Sequence, residues 1–439
     1  MSKKTILFFI SFLVLVCISV INLASCNDDT DDPNIDQQNL SVLSATSYVD
    51  YANLVKFDTD TYPELEDQGL FWAYWNNTTN SHVEVAADSE AGASLIDPAK
   101  PTIIMVHGMM TDGHKVKTTF WLMGSIASTG SVEFGLTGGV SLVKLWLDAG
   151  WNVGMFHYNR FASESIVYAN IEKKIWSTDT DVGLRFKYPK GSYSESVSEY
   201  CLAEHFAAEY ARAVSFLPDS FGNSEIRFAC HSMGGQLTAP GLFLITELVR
   251  VNQIPSRAIP NRYAMLDPFF GAGIQNDDGT INSISAQDIY TRWNNTPLIN
   301  NRPADTMIEC IRVLKENNIV TEYYGYQQSF LVALTPTSIT KLLKQLVVYT
   351  YIDPHYENYS NNYNFTTDAH GALADWYYCS IVFNPPINAT REASYAASAS
   401  TSTEHLKTLV GTAFLIESGA STITVIDDIF VEVSSSDQE

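Results

Sequence analysis

The stretch Ile226 to Pro240, which reads I-R-F-A-C-H-S-M-G-G-Q-L-T-A-P, constrains this chain more than any other. Ile226, Phe228, Ala229 and Cys230 make a short apolar run of strand type, and Gln236 to Val249 resumes as an apolar segment of helical length. Between them, His231-Ser232-Met233-Gly234-Gly235 has to turn sharply. A strand that passes into a helix through one serine strains the backbone there, so the positions two before and two after it must be small. Gly234 meets that need, and Cys230, standing where glycine is commoner, is still small. Pro240 is expected to kink the helix or to delay its start. A turn of this kind exposes a serine hydroxyl as a nucleophile. The pentapeptide also arises by chance, so its setting has to decide.

That setting is a succession of strands and helices. Leu70 to Trp75 is an aromatic strand-like run, and His82 to Ala86 alternates as an edge strand does. Thr102 to Val106 is a continuous apolar run of the kind buried in a parallel sheet, and it ends at His107-Gly108-Met109. Trp151 to Tyr158 reads as a second buried strand. Val197 to Leu217 predicts a helix, because Leu202, Phe206, Tyr210, Val214 and Leu217 recur at steps of four or three. Arg262 to Leu266 is another short strand and closes on Asp267-Pro268. Beyond it, Ile308 to Leu314 reads as helix, Ile319 to Tyr324 and Leu346 to Ile352 as strands, and Phe414 to Val433 as a final hairpin or edge strands. The Ser/Ala-rich stretch Ala393 to Thr403 reads as an exposed connection. Alternating strands and helices predict an α/β fold with a mostly parallel central sheet and helices on both faces.

Composition narrows the partners. Across 439 residues, 49 acidic side chains face 26 basic ones, for a formal charge of −23. Nucleic acid is excluded as a partner, since a phosphate backbone calls for a basic surface. The 46% hydrophobic content is that of a chain with a substantial core.

At the N-terminus, Lys3 and Lys4 precede an uncharged run from Thr5 to Val20, followed by Leu23-Ala24-Ser25-Cys26. This pattern predicts an export signal over residues 1–25. Leu-Ala-Ser-Cys resembles a bacterial lipobox, which implies that Cys26 is lipidated and becomes the first residue of the mature chain. Residues 26–60, acid-rich and without periodicity, are similar to the tether of surface lipoproteins of the Bacteroidetes type. The resemblance implies a protein lipid-anchored on a bacterial outer membrane or cell surface, with residues 61–439 as the folded domain. The alternative is plain secretion, to which the sequons at Asn76, Asn77, Asn294, Asn358, Asn364 and Asn388 lend support. Outside the leader and the lipobox the cysteines are Cys201, Cys230, Cys310 and Cys379. Cys230 reads as a buried thiol, and a Cys310–Cys379 bridge is left open.

A serine hydroxyl is a weak nucleophile and needs a base, the base needs an orienting carboxylate, and the developing oxyanion needs backbone donors. Asp267, at the C-terminal end of its strand, is the first candidate acid, with Asp353 after a later strand as the rival. His370 is the candidate base, with His355 behind it. Asp368 is too near His370 in sequence to partner it. His107 reads as a brace for its turn and His231 as a packing residue. The order Ser, Asp, His is that of a known hydrolase arrangement.

On these residues the chain resembles the α/β-hydrolase lipases, and in places their pancreatic-lipase branch. The matching pieces are Ile104-Met105-Val106-His107-Gly108-Met109, Cys230-His231-Ser232-Met233-Gly234-Gly235, Met265-Leu266-Asp267-Pro268, and His370 followed by Trp376-Tyr377-Tyr378. The resemblance implies a serine ester hydrolase with Ser232, Asp267 and His370 as its catalytic triad. By position it assigns the oxyanion amides to Met109 and Met233, and it implies no cofactor. The 103 residues from Asp267 to His370 exceed one sheet-plus-helix unit, so a lid or cap is expected at about 274–366. The implied substrate is a lipid ester, with other carboxylic esters or phospholipids as alternatives. A non-catalytic surface binding protein on the same fold is a further alternative. No metal-ligand motif is present: His205 and Glu209 share a helix face without an H-E-x-x-H pattern.

Overall fold

Buried apolar runs become strands here because each can satisfy its backbone only by pairing with neighbours on both sides. The computed structural model describes residues 50–110, 113–115, 140–164, 168–177, 182–269, 274–275, 281–282, 303–326, 337–352, 367–391, 394–418 and 425–433. All belong to the compact unit Ser44–Glu439. The strands are β1 (Gly69–Asn76), β2 (Ser81–Ala86), β3 (Thr102–Val106), β4 (Asn152–His157), β5 (Ile226–His231) and β6 (Arg262–Leu266). After the short ribbon of β7 (Ile274–Gln275) and β8 (Ile281–Asn282) come β9 (Val320–Tyr326), β10 (Val348–Ile352), β11 (Ile387–Asn388), β12 (Ser394–Tyr395), β13 (Ala413–Ser418) and β14 (Ile429–Val433).

All but the ribbon join one sheet, in the order β12-β11-β14-β13-β10-β9-β6-β5-β3-β4-β1-β2. From β13 to β4 every neighbouring pair is parallel, whereas β1 and β2 close one edge antiparallel. Towards the other edge β13 and β14 are antiparallel, β14 and β11 parallel, and β11 and β12 antiparallel.

The longer helices are α1 (Leu142–Asp148), α2 (Tyr168–Trp176), α3 (Leu202–Phe216), α4 (Met233–Arg250), α5 (Pro303–Glu316), α6 (Thr337–Leu346), α7 (Thr367–Cys379) and α8 (Thr403–Leu409). They divide between two cores. α2 to α6 pack on one face of the sheet, and α1, α7 and α8 on the other. Alternate residues of a strand point to opposite faces. Thus Ile104, Phe228 and Tyr263 enter the first core, while their neighbours Ile103, Ala229 and Ala264 enter the second.

Several expectations change. The stretch 274–366 is not one insertion: α5, β9, α6 and β10 within it are units of the main sheet and its first core. Two further strand–helix units therefore account for much of the distance between Asp267 and His370. The remaining parts of that stretch, apart from the β7–β8 ribbon, lie outside the described residues. Pro240 does not delay its helix, because α4 begins at Met233 and runs through it.

Within Ala393 to Thr403, expected as an exposed connection, Tyr395 is exposed but the centre is not. Ala396, Ala397, Ser398 and Ala399 are buried, and their small side chains let two guanidinium groups reach the backbone. Arg227 donates to the Ala399 carbonyl at 2.7 Å, and Arg262 to those of Ser398 and Thr401 at 3.0 and 2.7 Å. Arg262 also holds Glu322 through two bonds of 2.8 and 2.6 Å, both residues being fully buried.

The four cysteines are free and buried. Cys310 lies in the first core and Cys379 in the second, so the sheet separates them and no bridge joins them. Asn388 is buried and its amide donates to Glu432 at 2.8 Å, so that sequon is closed to a glycan in the folded chain. Asn294, Asn358, Asn364 and Cys26 lie outside the described residues. Among the described residues no helix is long and apolar enough to cross a membrane.

Candidate active site

The parallel strands end together, and the residues just beyond their C-terminal ends gather at one edge of the sheet. Ser232 follows β5 there with φ 56° and ψ −125°, a conformation that side-chain-bearing residues adopt only under constraint. The constraint is visible. The Ser232 amide donates to the Leu266 carbonyl at 3.0 Å, and its own carbonyl accepts from Gly235 at 2.9 Å and Phe269 at 3.3 Å. A Cβ on Gly234 would stand 2.3 Å from the His107 carbonyl oxygen, so the small residue two positions after the serine is a packing necessity. Cys230 is accommodated because its side chain enters the first core, where burial pushes the thiol pKa up.

The 107–109 turn presses on the serine. A Cβ on Gly108 would come within 2.7 Å of Ser232 Cβ, 3.1 Å of the His231 carbonyl oxygen and 3.3 Å of Ser232 Oγ. Met109 is the next residue along that turn. Met233 opens α4, and the first amides of a helix have no acceptor within it. Among the described residues, neither the Met109 nor the Met233 N–H is engaged by another group. The positive end of the 18-residue α4 adds to the field at this point.

His107 holds that turn in place. Its Nδ1 lies 2.7 Å from the Gly108 carbonyl oxygen and therefore carries the proton. Its Nε2 then accepts the Tyr158 amide at 3.3 Å, and the Tyr158 hydroxyl donates to the His107 carbonyl at 2.7 Å. The two rings stack with centroids 4.3 Å apart. Burial lowers the His107 pKa to about 3, so this ring stays neutral. It is a brace, as its position in the sequence suggests. The sequence gives no sign of Tyr158, since nothing local marks a strand-terminal tyrosine as the partner of a residue 51 positions earlier.

Asp267 follows β6, fully buried, with φ 42° and its amide donating to Tyr324 on β9 at 2.8 Å. Its Oδ2 accepts from His370 Nδ1 at 2.6 Å. His370 is the fourth residue of α7, its side chain 19% exposed. Because a carboxylate can only accept, the neutral ring carries its proton on Nδ1, and Nε2 holds the basic lone pair. Asp353 and His355, the rival acid and base, lie outside the described residues.

The turn at Ser232, its place after β5, Asp267 after the adjoining strand and His370 further on follow the order and the sheet geometry of one architecture. The fold is an α/β-hydrolase.

No family model matches the sequence, and no curated protein is similar enough to count as a relative. Among solved structures, the chain is similar to a proposed esterase from Staphylococcus aureus, with 16% identity and a TM-score of 0.24. That match covers 53% of this chain and 58% of the other. It is also similar to a lipase-esterase related protein from Clostridium acetobutylicum ATCC 824, with 13% identity and a TM-score of 0.24. There the coverage is 57% of this chain and 84% of the other. Similarity of that depth carries no argument about chemistry, which rests on the site itself.

Proposed function

We propose that this protein is a serine hydrolase that cleaves carboxylic esters. The observation that carries the reading is the 2.6 Å Asp267–His370 bond at the same sheet edge as a strained serine turn. In this reading Ser232 Oγ attacks the acyl carbonyl and His370 Nε2 takes its proton. Asp267 fixes the tautomer and steadies the imidazolium that forms. The Met109 and Met233 amides receive the developing oxyanion. His370 then returns the proton to the leaving alcohol, and water repeats the sequence on the acyl-enzyme.

The substrate class in this proposal is a lipid ester, and the working location is a membrane surface to which an acylated Cys26 tethers the chain. The support is in the sequence: the lipobox-like Leu-Ala-Ser-Cys and the acidic run after it. Each methylene of an acyl anchor adds about 0.8 kcal/mol of membrane affinity, so several chains hold without a spanning helix.

A fluorophosphonate probe tests the chemistry. Wild-type protein is expected to label and Ser232→Ala not to, with esterase activity lost in parallel. Full activity in Ser232→Ala removes the reading. Radiolabelled palmitate incorporation that disappears in Cys26→Ala tests the anchor separately.

A further inference from the structure

His231 was read as a packing residue, yet it is one residue before Ser232 and reaches across to His370. Its Nε2 lies 2.9 Å from the His370 carbonyl oxygen, and since a carbonyl can only accept, Nε2 carries the proton. The two imidazoles pack with centroids 4.3 Å apart at 40°. Burial, and then the neighbouring His370, hold the His231 pKa well below its usual value, with His107 adding to the effect.

The base-bearing helix is fastened at its two ends in different ways. At its far end Tyr378 donates to the Ala229 carbonyl at 2.9 Å, Trp146 to that of Tyr378 at 3.0 Å, and Trp376 to Asp428 at 2.6 Å. At the His370 end the side chain is held by Asp267 and the main chain by His231. The Asp267 bond changes character during turnover, because the ring it holds gains and loses a charge. The His231 bond ends on a backbone oxygen and does not. A neutral ring beside His370 also avoids placing a second cation against the imidazolium.

We propose that His231 is a positioning residue: it ties the strand that carries the serine to the helix turn that carries the base, and so fixes the spacing between Ser232 and His370. This rests on the reading of Ser232 and His370 given above.

Three variants separate the contacts. His231→Gln keeps an N–H donor without the ring, His231→Phe keeps the ring without the donor, and His231→Ala has neither. The measurements are kcat and KM for a soluble p-nitrophenyl ester between pH 5 and 9, with thermal unfolding alongside. A misplacement of about 1 Å costs up to about a hundredfold in rate. His231→Ala is therefore expected to lose about 10- to 100-fold in kcat with KM within about twofold, and His231→Gln to recover most of that loss. The acidic limb of the pH profile is expected to move in the Ala and Phe variants and to stay in Gln. Unchanged kcat in His231→Ala overturns the proposal. So does a loss that Gln does not recover and that leaves the pH profile in place.

If wild-type protein neither labels nor hydrolyses, the functional reading has failed, and nitrogen NMR of the imidazoles still tests the contact. A protected His231 Nε2–H, with a His370 titration that shifts in His231→Phe, then supports it. A His370 titration unchanged in both Phe and Ala refutes it.

Discussion

Replacing Gly108 by alanine tests the oxyanion assignment through sterics, with Ser232, His370 and Asp267 themselves left unsubstituted. The new Cβ would stand 2.7 Å from Ser232 Cβ and 3.1 Å from the His231 carbonyl oxygen. Ordinary contact begins near 3.4 Å, so one side must retreat by roughly 0.7 Å. Ser232 cannot give easily, because its amide and carbonyl are both held in the elbow. The 107–109 turn moves instead, and it takes the Met109 amide with it. A donor at about 2.9 Å from the oxyanion then lies near 3.6 Å, where no useful hydrogen bond survives. Loss of one such donor costs about 100- to 1000-fold in kcat, or about 3–4 kcal/mol. Overpacking adds about 1–3 kcal/mol of instability, read as a lowered Tm. The assay is steady-state hydrolysis of a short-chain p-nitrophenyl ester by wild type and Gly108→Ala, with thermal unfolding of both. A kcat within threefold of wild type would refute the placement of Met109 at the reacting carbonyl.

Other perturbations read other parts of the molecule. Asp267→Asn offers His370 Nδ1 an amide in place of a carboxylate and frees the ring to take the wrong tautomer; kcat is expected to fall by about 10³–10⁴ with the fold retained, and circular dichroism plus kinetics checks both halves. Glu172 of α2 is buried, accepts from Gln236 at 2.8 Å, and has its pKa raised by burial to about 7. A raised carboxyl pKa means that the folded state holds the extra proton, so this group's stabilisation is full below about pH 4.5 and is lost as pH rises through 7. Glu172→Gln removes that loss, worth on the order of 3 kcal/mol. Urea titrations at pH 5 and pH 8 should show the variant gaining on wild type as pH rises, and a pH-independent difference would contradict the assignment. Because the four domain cysteines are free, dithiothreitol should leave Tm unchanged and Ellman's reagent should find no fast-reacting thiol among them in native protein starting at Ser44.

The candidate site residues were easier to mark in the sequence than the frame that brings them together. Ser232 stands out through the small residues around it, which suit a tight strand-to-helix turn, and through the strand and helix on either side. Asp267 is marked by chain order and by ending a strand, and His370 by chain order. What local pattern does not carry is which strands share a sheet. Ile319 to Tyr324 and Leu346 to Ile352 read correctly as strands, yet the stretch around them was assigned to a lid, because period and propensity say nothing of the partner across the hydrogen bonds. Ala393 to Thr403 departs from its expected exposure for a related reason. Alanine and serine suit an exposed link and also suit close approach to a buried guanidinium, and only Arg227 and Arg262, more than a hundred residues earlier, decide between them. Gly108 shows the converse: its need for hydrogen in place of a side chain arises from contact with Ser232, which no window of sequence contains.

The division of the helices between two faces of the sheet has an engineering consequence. The serine turn feeds α4, which belongs to one core, and His370 rides on α7, which belongs to the other. In the proposed mechanism the proton carrier thus reaches the nucleophile from the opposite layer of the molecule, late in the chain. Hydrolysis becomes a sensor of docking between the layers: a chain cut between β10 and α7 would leave serine and carboxylate on one piece and imidazole on the other. Turnover would then report their reassembly.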